Sequence, residues 1–501
     1  MGKVNKSVKL NYIYNLTFYM FSLIAPIVTA PYISRVLGSN GIGQYSYSFS
    51  IVSIFTLFAS FGFSTYAQRE IARFQNDKYN QSKTFYEIMI DKAIISALVL
   101  ALYTTLVFMN VFGIEYREIL LILSINLVSI IFDSNFLFQG NEEFGFLALR
   151  SIVTKVIGIL LIFLFVKSEN DICIYTFCQS IILIGSNIVV WTKLNKYLVR
   201  ISIKDLNLRK HLLPAFKLFI PTIAVSVYTT LDKTLIGLLI KGTTMIGDKN
   251  GIMTIVKIAD VENGYYEQAE KIVKMCTMII TSLGTVMIPR NSKIVADNNK
   301  EKLLSNVKMS MKYVGFIGFP IVFGLDAIAN RFVPIFYGLG YSKVTYLMII
   351  FSPLVCIIGM TNVIGSQLML PQRKDKQYTI SILIGASINL LLNIILIPIL
   401  YSYGACLSTI IAEFIVMICM IIFSKDDISI WTWVTDTWRY LLASLVMFFG
   451  VSWLSLYIGS TLIEFLILII LGLFLYFICL LLLKDKVLYY LIEKLLKFKI
   501  K

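Results

Sequence analysis

Stretches of about 20 apolar residues recur along the whole chain, separated by short polar or basic connections. Wound as an α-helix, such a stretch crosses the ~30 Å hydrocarbon core of a bilayer with every backbone N–H and C=O bonded internally. A closed barrel would need segments of about ten residues alternating in polarity, and none is visible. An apolar content of 57% against 15% charge fits the helical reading. The expected fold class is an all-α polytopic membrane protein with about fourteen transmembrane helices. The first six spans are read at 10–37, 43–66, 88–112, 118–139, 144–166 and 171–192. Six more follow at 213–240, 265–288, 311–334, 344–370, 378–400 and 403–424, and two close the chain at 439–458 and 461–483.

The net charge of +16 does not gather on one face, as nucleic-acid binding would require. It falls in alternate connections: Lys3, Lys6 and Lys9; then 69–83, 193–210, 290–308 and 373–376; then the tail from Lys484 to Lys501. Basic residues mark the cytoplasmic side, so both termini are expected there, in a bacterial cytoplasmic membrane, with anionic lipid as a contact. The apolar run from residue 10 is too long for a cleaved signal peptide, and Lys6 spoils a myristoylation motif after Gly2. The tail 487–501 alternates apolar residues with lysine at helical spacing and is expected to lie along the membrane surface. The seven cysteines lack metal-like spacing. A single histidine, His211, excludes histidine-based triads and multi-histidine metal sites, and there is no P-loop. The expectation is a protein that is not an enzyme and that carries no metal or cofactor.

The chain also repeats itself at a spacing of roughly 200–220 residues. Pro26 with Ser34-Arg35-Val36-Leu37 in span 1 is echoed by Pro221 with Asp232-Lys233-Thr234-Leu235 in span 7. Gly43-Gln-Tyr-Ser opens span 2, and Gly264-Tyr-Tyr-Glu opens span 8. Six spans per unit is an even number, so the repeat is parallel, with an axis along the membrane normal. The domains expected are an N-lobe over 1–200, a C-lobe over 201–425, and two extra spans with the tail over 426–501.

Two blocks carry a resemblance over essentially the whole chain. NYIYNLTFYMFSLIAPIVTAPYISRVLGSNGIGQYSYSFSIVSIFTLFASFGFSTYAQREIAR near the start and LDKTLIGLL with ENGYYEQAEKIVKM later resemble oligosaccharide-lipid flippases of the polysaccharide biosynthesis protein family. That family lies in the multidrug/oligosaccharidyl-lipid/polysaccharide exporter superfamily. The resemblance implies two pseudo-symmetric six-helix lobes forming a V around a cavity, plus two C-terminal helices. It also implies flipping of undecaprenyl-pyrophosphate-linked oligosaccharide repeat units by alternating access, for capsule, exopolysaccharide or O-antigen assembly. Partners would be the lipid-linked oligosaccharide, membrane lipids, and the polysaccharide polymerase with its chain-length machinery. A drug or organic-cation antiporter of the same fold stays open as an alternative, as does a membrane polysaccharide polymerase.

A pyrophosphate crossing an apolar layer needs cations at membrane depth, where isolated charges are costly. Arg35 and Lys233 hold similar places in the two repeats, so they are the first substrate-binding candidates. Only 275–288 of span 8 is free of charge, too short to cross, which brings Lys271 and Lys274 to depth as further candidates. Their plainer alternative is pairing with Glu267 and Glu270 four residues earlier. Ser46, Ser50 and Asp232 are expected to line the cavity. Glu413 and Asp133, carboxylates within spans, are candidates for coupling to H+ or Na+. The segment 241–264 reads as an outer loop.

Overall fold

The computed structural model describes residues 8–247, 253–457, 461–485, 487–489 and 493. Gly2, Lys3, Lys6, Asp248, Lys249, Gly251 and most of the tail lie outside the described residues.

The first helical run, α1 (Val8–Ser60), covers sequence spans 1 and 2 and is interrupted at Gly38, whose φ of 65° and ψ of 179° are not helical. That corner of backbone space belongs almost wholly to glycine, so the break is written into the sequence. A second break at Phe61–Gly62 leads into α2 (Phe63–Arg73), which buries Phe63, Ala67 and Ile71 at helical spacing. Then come α3 (Lys78–Phe108), α4 (Arg117–Phe132), the short α5 (Asn135–Gly140), α6 (Phe144–Phe165), α7 (Ile172–Trp191) and α8 (Leu212–Leu239). Span 4 of the sequence is thus two helices, parted at Asp133–Ser134.

After α8 the structure departs from the expected loop. β1 (Thr243–Gly247) and β2 (Met253–Lys257) pair as an antiparallel hairpin, with Thr243 opposite Lys257 and Gly247 opposite Met253. The β-branched residues Thr, Ile and Val recur in the two five-residue runs and suit such a ribbon. Then α9 (Ile258–Ala296) starts seven residues before the expected span, so Asp260 and Glu262 are helical. The remaining elements are α10 (Lys300–Tyr337), α11 (Ser342–Phe351), α12 (Leu354–Thr361) and a π-helical turn over Asn362–Met369. α13 (Asp375–Leu400), α14 (Ser402–Phe423), α15 (Ile430–Leu454) and α16 (Leu462–Leu482) complete the chain.

Among the described residues, 12 helices are long and apolar enough to cross a membrane, the first of them spanning both halves of α1 together with α2. α16 shows what kind of surface they present. It exposes Ile463, Ile470, Phe474 and Leu482 while burying Leu468, Tyr476 and Leu480. An apolar outer face over a packed inner face is stable only in lipid, so the protein is a polytopic membrane protein.

The chain forms two compact units, Met1–Gly264 and Tyr265–Lys501. In the first, α1 packs on α3, α4, α6, α7 and α8, and α2 packs on α3, α5 and α8. In the second, α10 is the central element, packed on α11, α12, α15 and α16, beside the α13–α14 pair. The repeat in the sequence divides the chain near residue 200, whereas packing divides it at Gly264. The two cuts differ because α8 packs on α1 and α2.

Candidate functional site

The first unit carries a seam where α8 and the start of α9 meet α1. The Ser50 hydroxyl donates to the Tyr47 carbonyl at 2.7 Å, so it accepts from Thr234, whose hydroxyl is 2.8 Å away. Gly237 makes room for the Tyr47 ring, which a Cβ there would meet at 2.1 Å. Tyr47 lies against Tyr116, and the Tyr116 hydroxyl donates to Asp260 Oδ1 at 2.7 Å. Asn263 Nδ2 donates to the carbonyl of Lys233 at 2.8 Å, and Lys257 pairs with Glu115. The backbones of α1 and α9 approach so closely at Gly43 and Gly264 that no side chain fits at either.

Arg35 is exposed, three residues before the break at Gly38. Lys233 is half-buried on α8 beside the buried Asp232. Ser46, Ser50 and Asp232, expected to line a cavity, are covered by protein in this conformation, Ser50 against Thr234 of α8. Lys271 and Lys274, in the second unit, form the i,i+4 pairs that the sequence allowed, with Glu267 at 3.6 Å and Glu270 at 2.7 Å.

Asp133 sits at the α4–α5 break, where its Oδ1 accepts from the Asn135 N–H at 3.1 Å. Its Oδ2 is 3.3 Å from Lys92 Nζ, and the same ammonium donates to the Asp133 carbonyl at 2.7 Å. Lys92 is wholly buried. Beside it, Arg150 on α6 donates to Asn135 Oδ1 at 2.8 Å and to the Ser186 carbonyl at 3.1 Å. Lys92, Arg150 and the half-buried Lys155 went unremarked in the sequence. The criterion that found Lys233, a charge inside an apolar run, picks them out equally well.

Glu413 lies in mid-α14 and is 8% exposed. No hydrogen bond or ion pair of its carboxylate occurs among the described residues. On the facing helix α13, Asn393 donates to Asn389 at 3.1 Å, and Asn389 donates to Thr409 of α14 at 3.4 Å. Near the basic end of the first unit the lone histidine has a structural place. His211 Nε2 is 2.8 Å from Glu87 Oε2, its Nδ1 is 2.8 Å from the Tyr66 hydroxyl, and the Asn207 N–H donates to Glu87 Oε1. The connection from α7 to α8 is thereby fastened to α2 and α3.

Residues 8–295 match the family described as polysaccharide biosynthesis protein, and residues 252–346 match a second family of the same description. The chain belongs to the polysaccharide biosynthesis protein family. The "Putative O-antigen transporter" of Escherichia coli (strain K12) is 25% identical over 423 residues, covering 84% of this chain and 97% of that protein. In fold, the chain is similar to the lipid II flippase MurJ in an inward closed conformation, with a TM-score of 0.74 at 19% identity over 95% of this chain and 99% of that one. An inward-facing multidrug resistance MATE family transporter of the MOP superfamily gives a TM-score of 0.60 at 13% identity, over 83% and 97% of the two chains.

Proposed function

We propose that this protein is a flippase that moves undecaprenyl-pyrophosphate-linked oligosaccharide repeat units across the cytoplasmic membrane by alternating access. The observation that carries this reading is the alignment with the O-antigen transporter, which runs through 84% of this chain and 97% of that relative. The charges at depth support it. Arg35 and Lys233 stand on two helices that pack together, and a cationic wall suits a pyrophosphate better than an organic cation. Lys271 and Lys274 keep further N–H donors beyond those used on their glutamates, since an ammonium has three. The proposal places both termini in the cytoplasm, with capsule, exopolysaccharide or O-antigen as the product.

Within this reading the seam at Gly43 and Gly264 is the contact that parts when the outer side opens. It is held by hydroxyl and amide hydrogen bonds of about 1 kcal/mol each and by close backbone packing, so it can be remade in every cycle. Glu413 is the candidate for proton coupling, as a buried carboxylate between facing helices. The Asp133 carboxylate is already occupied by Lys92 and by the Asn135 N–H.

Charge reversal tests the proposal. Arg35→Glu and Lys233→Glu should each abolish polymer export in cells while the protein still reaches the membrane at normal abundance. Export at the unaltered level in both variants would reject the cationic wall.

A further inference from the structure

The basic end of the second unit holds a cavity of about 210 Å³ between the first turns of α10 and the start of α15. Leu304, Val307, Met311 and Trp433 form apolar walls, and Lys308 and Lys312 stand at its edge. The Trp433 indole N–H donates to the Met311 carbonyl at 3.0 Å, which fixes the ring. α10 has 38 residues and is about 57 Å long, so its basic first turns extend beyond the ~30 Å apolar core. Trp431 and Trp438, both exposed, flank Trp433 in the manner of residues at the membrane–water interface.

The charges around this cavity do not cancel. Lys308 and Lys312 bracket Asp436 at 3.2 and 3.4 Å, and Lys300 and Lys374 bracket Asp427 at 2.7 and 2.8 Å. With Asp426, which also acts on Lys300, four ammoniums face three carboxylates, leaving a surplus of one positive charge. Each ammonium has three N–H donors, so bonding to one aspartate leaves donors for another acceptor. Lys308 is 55% exposed and Lys312 30% exposed, so both are reachable from the aqueous side.

We infer that this cavity binds an anionic phospholipid, with the phosphodiester on Lys308 and Lys312 and the start of the acyl chain along Leu304, Val307, Met311 and Trp433. A free anion would leave the apolar walls uncovered. A zwitterionic lipid would bring its own cation against the surplus charge. Basic pockets between transmembrane helices on the cytoplasmic side are suited to such head groups. The bound lipid bridges α10 and α15 within the second unit. The inference is independent of the cargo that the protein transports.

Native mass spectrometry of the purified full-length protein in detergent tests it, with dioleoyl-phosphatidylglycerol, dioleoyl-phosphatidylcholine and glycerol phosphate as probes. Phosphatidylglycerol should bind at least about tenfold more tightly than either other probe. The triple variant K308Q/K312Q/D436N, which leaves no carboxylate stranded, should lose that preference, and K308R/K312R should keep it. Equal binding of the two lipids, equal binding of glycerol phosphate, or an unchanged triple variant overturns the inference. Should the triple variant aggregate, V307F decides, because it fills the cavity and keeps every charge. Unchanged phosphatidylglycerol binding in V307F overturns the inference, and a loss of about tenfold or more supports it.

Discussion

A Cβ on Gly43 would lie 1.6 Å from the carbonyl oxygen of Asp260. The reciprocal contact also exists, since a Cβ on Gly264 would lie 2.0 Å from the carbonyl oxygen of Ser39. Ser39 precedes Gly43 by four residues, and Asp260 precedes Gly264 by four. The two glycines that open corresponding spans of the repeat therefore cross each other in a locally two-fold manner. Each glycine receives the carbonyl one helical turn before the other. Backbones brought this close gain van der Waals contact without long side chains to rearrange, which suits a contact that must open and re-form.

Gly43→Ala and Gly264→Ala should each destabilise the protein by about 1–3 kcal/mol, the usual range for forcing a methyl into a packed interior. Their effects should be similar, because the contacts are reciprocal. Gly185→Ala in α7, where a Cβ meets nothing within 4 Å, should leave stability unchanged or slightly raised. Thermal unfolding of the purified variants reads all three. A Gly43 variant as stable as the parent would show that α1 and α9 are not held this close.

Asp133→Asn should cost more stability than Lys92→Met. The first leaves a wholly buried ammonium without its anion, a loss of about 3–5 kcal/mol for broken buried pairs. The second leaves a carboxylate that is 25% exposed and still accepts from Asn135. Lys92→Met combined with Asp133→Asn should recover much of the loss. Comparing the three melting curves checks this, and the reverse order would contradict the burial asymmetry.

Glu413→Gln removes a titratable group from α14 with little change in shape. Export by this variant should respond less to collapse of the proton gradient than export by the parent. Polymer at the cell surface, assayed with and without an ionophore, is the readout. An undiminished response excludes Glu413 from coupling.

Asp427 lies in the connection between α14 and α15. Burial opposes its ionisation, but hydrogen bonds from Lys300 and Lys374 outweigh that and hold its carboxyl below the ordinary carboxylate range. A depressed folded-state pKa means stability that is present above the unfolded value of about 4 and is lost as pH falls through the lower folded value. The parent should therefore lose stability between about pH 4 and the folded pKa, and Asp427→Asn should lose less over that interval. Melting temperatures across that range, in the same detergent, decide it.

Much of this could be read from particular residues. The gap between spans ending at 37 and starting at 43 brackets the break at Gly38, the apolar runs announced helices, and the four-residue spacing of Glu267–Lys271 and Glu270–Lys274 allowed the pairs that form. The sequence pattern could not show that Asp133 answers Lys92, because 41 residues separate them and the pairing depends on how α3 packs beside α4. Nor could it show the pairing of Thr243–Gly247 with Met253–Lys257, since a short polar connection with scattered apolar residues has no decisive period.

What the sequence determined by itself is the class of solvent and the class of element. Residues in lipid must be apolar over about 20 positions, and their backbones must close their own hydrogen bonds, so helical spans follow from local composition. The loose repeat read from it matches Gly43 with Gly264 and Arg35 with Lys233. Only the tertiary structure decided that the paired glycines touch, that Ser50 meets Thr234, and that α8 packs on α1. Contacts between distant segments depend on helix packing in three dimensions, where the absence of a side chain matters as much as the presence of one.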